Sequence, residues 1–456
     1  MKRARSQSAK LKIPNRSLSQ WLALLEQRHP RAIDLGLDRI AGVAAKLQID
    51  KPQTQVITVA GTNGKGSCVA TIEALLIASD VRVGTFTSPH LLAYNERIRI
   101  NGSNAEDEDI CRAFALIEAV RGDISLTYFE FSALAALCLF AEIQLDVIVL
   151  EVGLGGRLDA VNIIDPDVAV ITSIDLDHQD WLGETRSAIA LEKAGVARRD
   201  TPVVCADPNP PDALLAALDT LGADVILLGR DEFSWQIKSE ALTLTCRSQS
   251  ETLTYQDLAI PQLPLSSAVC AVQAVLALGR RLSPAVLNEV FLSATLLGRF
   301  QQSRFQKRQL ILDVAHNPAA AALLARRLRE SGIESAHCVF AALQDKDVES
   351  MLEPLLPIVS HWHVCSLPET KRSFDAGALA ELVYNCSQVT ATKPQRNRLA
   401  KTGLFNPVIQ CYDTPELGLS GALEASVPGD IIVVFGSFYT VSAVLKAGVL
   451  KAVDVN

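Results

Sequence analysis

The chain lacks the cysteine patterns that mark a disulfide framework or a zinc site. Its ten cysteines are scattered and no two of them form a CxxC pair, a distribution that favours a reducing cytoplasm. No apolar stretch follows the basic, polar start, so we expect no secretory signal. The longest apolar runs have the length of strands or helices and are interrupted by charges, so we expect no membrane span.

An excess of positive charge is also missing. Lysine and arginine total 43 against 51 aspartates and glutamates, which gives a formal net charge of −8. This balance argues against general attraction to nucleic acid or acidic membranes, although a local basic pocket for an anionic substrate is compatible with it. We expect a cytoplasmic protein that acts as a monomer.

At 456 residues the chain is too long for one hydrophobic core, so two domains are expected. Short apolar runs alternate with stretches of helical periodicity, and near-continuous apolarity is typical of strands buried on both faces of a parallel sheet. This alternation predicts an α/β fold with doubly wound, mostly parallel sheets. The predicted strands include 56–60, 146–150, 168–174, 309–314, 338–343 and Ile431–Phe435.

A domain boundary is predicted where a helical stretch ends at Gly298 and a fresh strand starts shortly afterwards. Residues 1–298 would form the first domain and residues 299–456 a smaller, Rossmann-like second domain. The first domain contains the strongest motif of the chain, a glycine loop between a strand and a helix. The loop consists of Gly61, Thr62, Asn63, Gly64, Lys65, Gly66 and Ser67.

Such a loop predicts a phosphate cradle and a P-loop ATPase domain. Glycines let backbone N–H groups approach phosphate oxygens, and the helix N-terminus favours anions. Lys65 supplies a positive charge for the outer phosphates, and Ser67 a hydroxyl for phosphate or Mg²⁺. The match to the common P-loop is imperfect, because Val59 replaces its first glycine and Gly66 separates the lysine from the hydroxyl residue. A plain glycine turn is the competing interpretation.

Three further polar side chains follow predicted strands of the same domain. Glu151 ends the strand 146–150, His178 comes after the strand 168–174, and Ser88 follows another strand-like run. An acidic residue at the carboxyl end of a buried strand suits Mg²⁺ beside nucleotide phosphates. A lone histidine is more often structural than a ligand. Lys193 can be interpreted as a solvated helix lysine from its spacing alone.

The second domain shows two similar strand ends. Asp313 and His316 follow the apolar residues Leu310–Leu312 with Pro318 able to begin a helix, and Ser437 follows Ile431–Phe435. Both segments could face a ligand crevice at the carboxyl edge of a sheet. An ordinary turn between a strand and a helix explains these residues equally well.

Taken in order, seven segments resemble the folylpolyglutamate synthase/dihydrofolate synthase family, a branch of the Mur ligase superfamily. They are 61–67, 151–162, Asp177-His178, 192–195, 298–300, 313–318 and 436–437. The resemblance implies a ligase that uses ATP and Mg²⁺. ATP phosphorylates a pterin-linked carboxylate, and the amine of L-glutamate attacks the acyl phosphate to form an amide. Dihydropteroate and tetrahydrofolate are the implied acids.

The resemblance also implies roles for single residues. Residues 61–67 would bind ATP, with Lys65 catalytic, and Ser88, Glu151 and His178 would hold Mg²⁺. Lys193 matches a catalytic lysine that the family carbamylates. Arg299 and Asp313 match nucleotide contacts, whereas Arg97, His316 and Ser437 match positions for the incoming glutamate, with His316 also assigned as catalytic.

Two segments resemble the pterin sites of bacterial enzymes that have both activities, and a third would border the same pocket. The segments are Asp34-Leu35-Gly36-Leu37, Thr127-Tyr128-Phe129-Glu130 and Leu158-Asp159-Ala160. They favour a bifunctional enzyme, with a monofunctional folylpolyglutamate synthase as the alternative. One departure concerns Ser267, which replaces the usual asparagine. Serine is shorter and has no amide donor, so the resemblance leaves its contact with ATP open.

Two other functions compete with this interpretation. A ligase for a peptidoglycan precursor would need a nucleotide-sugar domain before the phosphate loop, but only sixty residues precede Gly61. A nucleotide-binding regulator without ligase activity would have no need for Lys65, Glu151, His178 and Lys193 together. ATP turnover that requires both acid and amine separates an enzyme from a regulator.

Overall fold

The computed structural model describes residues 16–29, 33–230, 232–249, 251–391 and 407–448. The chain divides into two compact units, Met1–Ala294 and Thr295–Asn456. Within the described ranges, no helix is both long and apolar enough to cross a membrane.

The first unit is built on an eight-stranded sheet with the strand order β4-β3-β2-β5-β1-β6-β7-β8. The pairs among β2, β5, β1, β6, β7 and β8 are parallel, whereas β3 pairs antiparallel with both β2 and β4 at one edge. The strands are β1 (Gln55–Ala60), β2 (Val83–Phe86), β3 (Ile98–Ile100), β4 (Ser103–Asn104), β5 (Val147–Glu151), β6 (Val168–Ile171), β7 (Pro202–Cys205) and β8 (Asp224–Leu227).

Helices cover both faces of this sheet, as the apolar strands predict. Successive strand residues point to opposite faces, so Val56 and Ile148 belong to one hydrophobic core while Ile57 and Val149 belong to the other. The helices are α1 (Leu18–Arg28), α2 (Asp38–Leu47), α3 (Lys65–Ile77), α4 (Asp107–Arg121), α5 (Tyr128–Glu142), α6 (Gln179–Leu182), α7 (Arg186–Ala194), α8 (Asp212–Leu221), α9 (Leu265–Ala277) and α10 (Pro284–Ser293). The doubly wound, mostly parallel architecture is therefore confirmed.

A second, antiparallel sheet in the first unit was not predicted. It contains β9 (Ser234–Lys238), β10 (Ala241–Ser248) and β11 (Glu251–Leu258). Leu242, Leu244 and Cys246 alternate with half-buried residues and join the same core as α3, α9 and α10. The sheet therefore shares its core with α3, the helix that follows the phosphate loop, and with α9 and α10.

The second unit contains a six-stranded sheet with the order β12-β13-β17-β14-β15-β16, parallel except for the edge pair β12–β13. Its strands are β12 (Gln301–Phe305), β13 (Arg308–Leu312), β14 (Ala336–Phe340), β15 (Val359–Cys365), β16 (Val408–Tyr412) and β17 (Ile431–Phe435). Its helices are α11 (Pro318–Glu330), α12 (Val348–Leu352), α13 (Ala376–Ala391), α14 (Pro415–Ala425) and α15 (Phe438–Lys446).

The predicted strands are all present; Ile431–Phe435 has the predicted ends, and the ends of the others are shifted. The predicted strand 168–174 stops at Ile171; Thr172 still donates its N–H to the carbonyl of Ala60 on β1 at 2.9 Å, but the segment then turns to bond with loops. Thr172 Oγ1 donates to the carbonyl of Asn63, and the N–H of Ile174 donates to Asp207 at 2.7 Å. Pro318 begins α11 as predicted, and the side chain of Asn317 caps that helix.

Trp362 provides a test of the second core. It is fully buried on β15, with its ring centroid 5.8 Å from that of Phe340 and 6.4 Å from that of Phe435. Trp362→Ala should lower the free energy of unfolding by about 3–5 kcal/mol, since it leaves a large cavity. Trp362→Phe keeps an aromatic ring and should cost less. Chemical unfolding followed by circular dichroism measures both; equal losses would contradict the packing account.

Candidate active site in the first unit and strand ends of the second

The phosphate loop leaves β1 at its carboxyl end and turns directly into α3. Gly61 has a φ of 149° and Gly64, just before the helix, has a φ of 83°, conformations that residues with a Cβ rarely adopt. The first N–H groups of α3 have no carbonyl partner within the helix, so this end favours an anion. The loop thus has the local geometry that a phosphate cradle requires.

The segment after β6 holds this loop in place. Asn63 donates its N–H to Ser173 Oγ at 3.0 Å and accepts from Thr172 Oγ1 at 2.6 Å, while Thr62 donates its N–H to the carbonyl of Ser173 at 2.8 Å. A Cβ on Gly61 would lie 1.9 Å from Thr172 Oγ1. Glycine is required at this position by close approach as well as by its backbone angle.

Lys65 folds back over the loop that it follows. Its Nζ donates to the carbonyl oxygens of Gly61 and Thr62 at 3.0 and 3.1 Å, which keeps the ammonium group beside the cradle. Ser67 is buried in the first turn of α3. Ser267, buried at the start of α9, also contacts the loop, since a Cβ on Gly64 would lie 2.5 Å from its Oγ.

The structure brings two of the three predicted metal ligands together. β2 and β5 are neighbours, and the backbone N–H of Ser88 donates to Glu151 Oε2 at 3.2 Å. Glu151 is buried, whereas His178 is exposed on the loop after β6, two strands from β5. Among the described residues, no three His, Cys, Asp or Glu side chains gather closely enough to hold a metal ion.

Lys193 lies in the last turn of α7 and is only 2% exposed, which excludes its interpretation as a solvated lysine. Burial, helped by the positive charge of Lys65, lowers the pKa of Lys193 from 10.5 to about 7, against the opposing pull of Asp177 and Asp159. A cation is costly in such a place because it loses its hydration. The amine is therefore substantially neutral near pH 7.

Asp159 is also buried, and its charge acts on Lys193. Its carboxylate accepts N–H groups from Leu154 at 2.9 Å and Val161 at 3.1 Å, and it caps the 3₁₀ turn Ala160–Ile163. Burial raises the pKa of Asp159 to about 6, although these hydrogen bonds and Lys65 oppose the shift. Its neighbours Leu158 and Ala160 are half-buried and buried, respectively.

The two predicted pterin segments meet at Arg39. Thr127 and Glu130 form a reciprocal capping box at the start of α5, and Arg39 Nη2 lies 3.3 Å from Glu130 Oε1. The same guanidinium lies 3.0 Å from Asp34 Oδ2 through Nη1. Leu35 and Gly36 follow in the chain, and Leu37 immediately precedes α2. Part of the predicted recognition motif is thus a helix cap.

Arg97 lies beside the same helix start. Its guanidinium carbon is 5.5 Å from the ring centroid of Tyr128 and 5.6 Å from that of Tyr94, and its Nε donates to His90 Nδ1 at 2.9 Å. Phe129 packs against Gly153, where a Cβ would lie 2.7 Å from Phe129 Cζ. The start of α5 therefore links a predicted glutamate contact to the loop that follows Glu151.

In the second unit, Asp313 clamps the chain that precedes β12. It accepts N–H groups from Phe300 and Ala315, both at 2.8 Å, and burial raises its pKa while Arg299 opposes the shift. Arg299 and His316 both approach the ring of Phe438, with distances to its centroid of 5.3 and 5.8 Å. The structure thus brings Arg299 and His316 to one place.

Ser437 is the capping residue of α15, and its Oγ accepts the N–H of Thr440 at 3.0 Å. The hydroxyl is buried, and it already serves as the hydrogen-bond acceptor of the helix cap. Helix capping is therefore sufficient to explain why a hydroxyl residue follows this strand, and no ligand is needed for that explanation.

Sequence reasoning missed Arg186 and Asp207. The buried Asp207 accepts the N–H of Ile174, and Arg186 Nε donates to the carbonyl of Ile174 at 2.8 Å while its Nη2 approaches Asp207 at 3.2 Å. Together they fix the segment that bonds to the phosphate loop and leads to His178. An acidic residue just after β7 was an available signal, since other candidates followed strands in the same way.

Comparison with known proteins covers nearly the whole chain. Residues 59–266 match the Mur ligase middle domain and residues 298–438 the Mur ligase glutamate ligase domain. The dihydrofolate synthase/folylpolyglutamate synthase of Haemophilus influenzae is 39% identical over 443 residues, 93% of this chain and 96% of the relative. That of Escherichia coli is 40% identical over 432 residues, 94% and 95% of the two chains.

Solved structures agree with these matches. Escherichia coli FolC in complex with DHPP and ADP superposes with a TM-score of 0.86 at 37% identity, covering 96% of this chain and 98% of that one. The bifunctional enzyme with Mn, AMPPNP and L-glutamate bound has a TM-score of 0.83 at 38% identity, with coverages of 96% and 99%. The chain belongs to the dihydrofolate synthase/folylpolyglutamate synthase family of the Mur ligases.

Proposed function

We propose that the chain is an ATP-dependent ligase that joins L-glutamate to a pterin-linked acid. Dihydropteroate would give dihydrofolate, and tetrahydrofolate would receive further γ-linked glutamates. One observation carries the proposal: Glu151 and Ser88 lie at strand ends of one sheet, and Lys65 and the buried Lys193 lie on the helices α3 and α7 of the same unit, in a chain with bifunctional relatives. Crevices at the carboxyl ends of parallel strands are the usual ligand sites of such sheets.

The chemistry explains why the phosphate loop matters. A carboxylate is a poor electrophile, so transfer of the γ-phosphoryl group of ATP first converts one of its oxygens into part of an acyl phosphate. The amine of glutamate then attacks the acyl carbon and phosphate leaves, giving an amide, ADP and inorganic phosphate. The Lys65 ammonium and the N–H groups of the loop stabilise the charge on the transferring group.

Ser88 and Glu151 are of the right type to hold Mg²⁺. Hydroxyl and carboxylate oxygens are ligands that Mg²⁺ prefers, and it usually keeps several waters, so two protein ligands can suffice. When bound, Mg²⁺ would neutralise phosphate charge during transfer. His178 is exposed on a different loop, so its place as a third ligand rests on the family resemblance.

Lys193 suits the proposed carbamate in two respects. Carbamylation requires a neutral amine, and the pKa of about 7 supplies one near neutral pH. The modified group would be an anion, which the positive charge of Lys65 would attract, whereas the same charge disfavours the protonated amine.

The other proposed roles follow the division of the chain. Residues 1–298 would bind ATP and the acid, with Asp34–Leu37, Thr127–Glu130 and Leu158–Ala160 around the pterin, while residues 299–456 would serve the glutamate. Arg299 and Asp313 would contact the nucleotide, and Arg97, His316 and Ser437 the glutamate. For Ser437 this would involve the N–H groups of α15, because its hydroxyl caps the helix. We further propose a cytoplasmic monomer.

Substrate choice tests the proposed function directly. Purified protein with ATP, Mg²⁺ and glutamate should form an amide with dihydropteroate and, separately, with tetrahydrofolate. Product mass and ADP release measure each reaction, with acid or amine omitted as blanks. Turnover of tetrahydrofolate alone would reduce the enzyme to a folylpolyglutamate synthase, and ATP binding without either product would favour the regulator.

Lys65→Ala tests the phosphate loop. Removing this charge should reduce turnover at least about 10²–10³-fold, since a positioned donor to a transferring phosphoryl group contributes that much. Lys238→Ala, which removes an exposed lysine on β9, is the matched control and should keep full activity. Circular dichroism checks folding. Near-normal turnover in a folded Lys65→Ala protein would remove the argument for the loop.

Lys193 provides a pH and bicarbonate test. The amine becomes mostly neutral above pH 7, so dependence on added bicarbonate should develop as the pH rises through that value. Lys193→Ala should lose most activity, and Lys193→Glu should regain part of it without needing bicarbonate, since glutamate supplies a shorter carboxylate. Initial rates in CO₂-depleted and bicarbonate buffers measure this. A fully active Lys193→Ala enzyme would rule out the carbamate.

A further inference from the structure

Arg39 connects the two predicted pterin segments, which are more than ninety positions apart in the chain. It is the second residue of α2. Its Nη1 lies 3.0 Å from Asp34 Oδ2, its Nη2 lies 3.3 Å from Glu130 Oε1, and Nη2 also donates to the carbonyl of Asp34. One guanidinium therefore contacts the side chain and backbone of the first segment and the carboxylate of the second.

The carboxylate of Glu130 needs this cation. Its side chain is only 4% exposed, whereas that of Arg39 is 27% exposed. Its Oε2 accepts the N–H of Thr127 at 2.7 Å and so belongs to the cap of α5, which leaves Oε1 facing Arg39. A buried carboxylate that loses its charge partner is strongly destabilised.

The residues just before Glu130 at the start of α5 contact other candidate site residues. Tyr128 stacks with Arg97, and Phe129 fits against the backbone of Gly153, two residues after Glu151. On the other side, Asp34 also approaches His29 Nε2 at 3.5 Å, so Arg39 and the end of α1 hold the first segment from both directions. A planar guanidinium with fixed donors suits such a bridge better than a lysine ammonium does.

We propose that Arg39 is a positioning residue that fixes the two halves of the acid-binding pocket relative to each other. This inference rests on the proposed function, in which those segments receive the pterin-linked acid. Arg39 would act through Asp34 and Glu130, without touching the reacting atoms. Its loss should therefore affect the acid far more than ATP, whose loop is held by Thr172 and Ser173.

The experiment compares Arg39→Gln with Arg39→Lys. For Arg39→Gln we expect KM for dihydropteroate and for tetrahydrofolate to rise about 10–100-fold, as for other small misplacements of a binding site, with KM for ATP within about twofold of the parent. Arg39→Lys should fall between, because one ammonium cannot reach both carboxylates with the same geometry.

Arg82→Gln is the matched control. Arg82 pairs with Asp146 through Nε at 2.9 Å and Nη2 at 2.8 Å, and this ion pair includes neither pterin segment. It should leave all KM values near those of the parent. Arg39→Gln would overturn the proposal if its KM for the acids matched that of Arg82→Gln, or if only kcat fell equally with every substrate.

Two additions keep the test decisive. If Arg39→Gln fails to fold, Arg39→Gln with Glu130→Gln removes the stranded buried charge, and glutamine still suits the capping box. This double variant should fold and keep the raised KM; a normal KM would overturn the proposal.

Fluorescence titration of dihydropteroate without ATP measures acid binding alone. It separates the role of Arg39 from the proposed function: weaker binding by Arg39→Gln supports the role even if the parent forms no amide.

Discussion

The phosphate loop depends on the segment that follows β6, and most of the site depends on that contact. Hydrogen bonds from Thr172 and Ser173 fix Asn63, and Thr62 Oγ1 donates to the carbonyl of Asp175 at 3.1 Å. A loop with two left-handed or extended glycines would otherwise have many conformations in the folded protein. The contact selects one of them, so the N–H groups are arranged before a phosphate arrives and no ordering is needed during the reaction.

The same region carries charges that a purely structural core would avoid. Lys65 disfavours the protonated form of Lys193, and burial raises the pKa of Asp159 while lowering that of Lys193. Perturbed ionisable groups of this kind are concentrated at functional sites, where stability is given up for chemistry. The positive charge of Lys65 thus lies where the outer phosphates of ATP are expected, and an anion bound there would offset its effect on Lys193.

The sequence was sufficient to predict the buried strands, because a short, continuous apolar run such as Ile431–Phe435 is typical of a strand with both faces covered, and its motifs predicted the family. It also placed Ser88 and Glu151 after strands, and the structure brings them together because β2 and β5 are neighbours. It missed the sheet β9–β11, in which polar residues alternate with Leu242 and Leu244 as they do in many surface strands. The burial of Lys193 depends on packing of α7 against the loop that contains Gly156, where a Cβ would lie 2.7 Å from the carbonyl of Glu192. No pattern in the sequence near Lys193 indicates this contact.

The close approach of Gly61 to Thr172 has a consequence for how the sequence can vary. With 1.9 Å between Thr172 Oγ1 and the place of a Cβ, even alanine at position 61 collides with a side chain that is needed to hold Asn63. A residue smaller than threonine at position 172 would make room for a Cβ at position 61, but it would lose the hydrogen bond to Asn63 that holds the loop. A residue that keeps the hydroxyl in place would again leave no room for the Cβ. The two positions, 111 apart in the chain, are therefore expected to vary together. A substitution at either one is tolerated only if it keeps both the space beside residue 61 and the hydroxyl of residue 172.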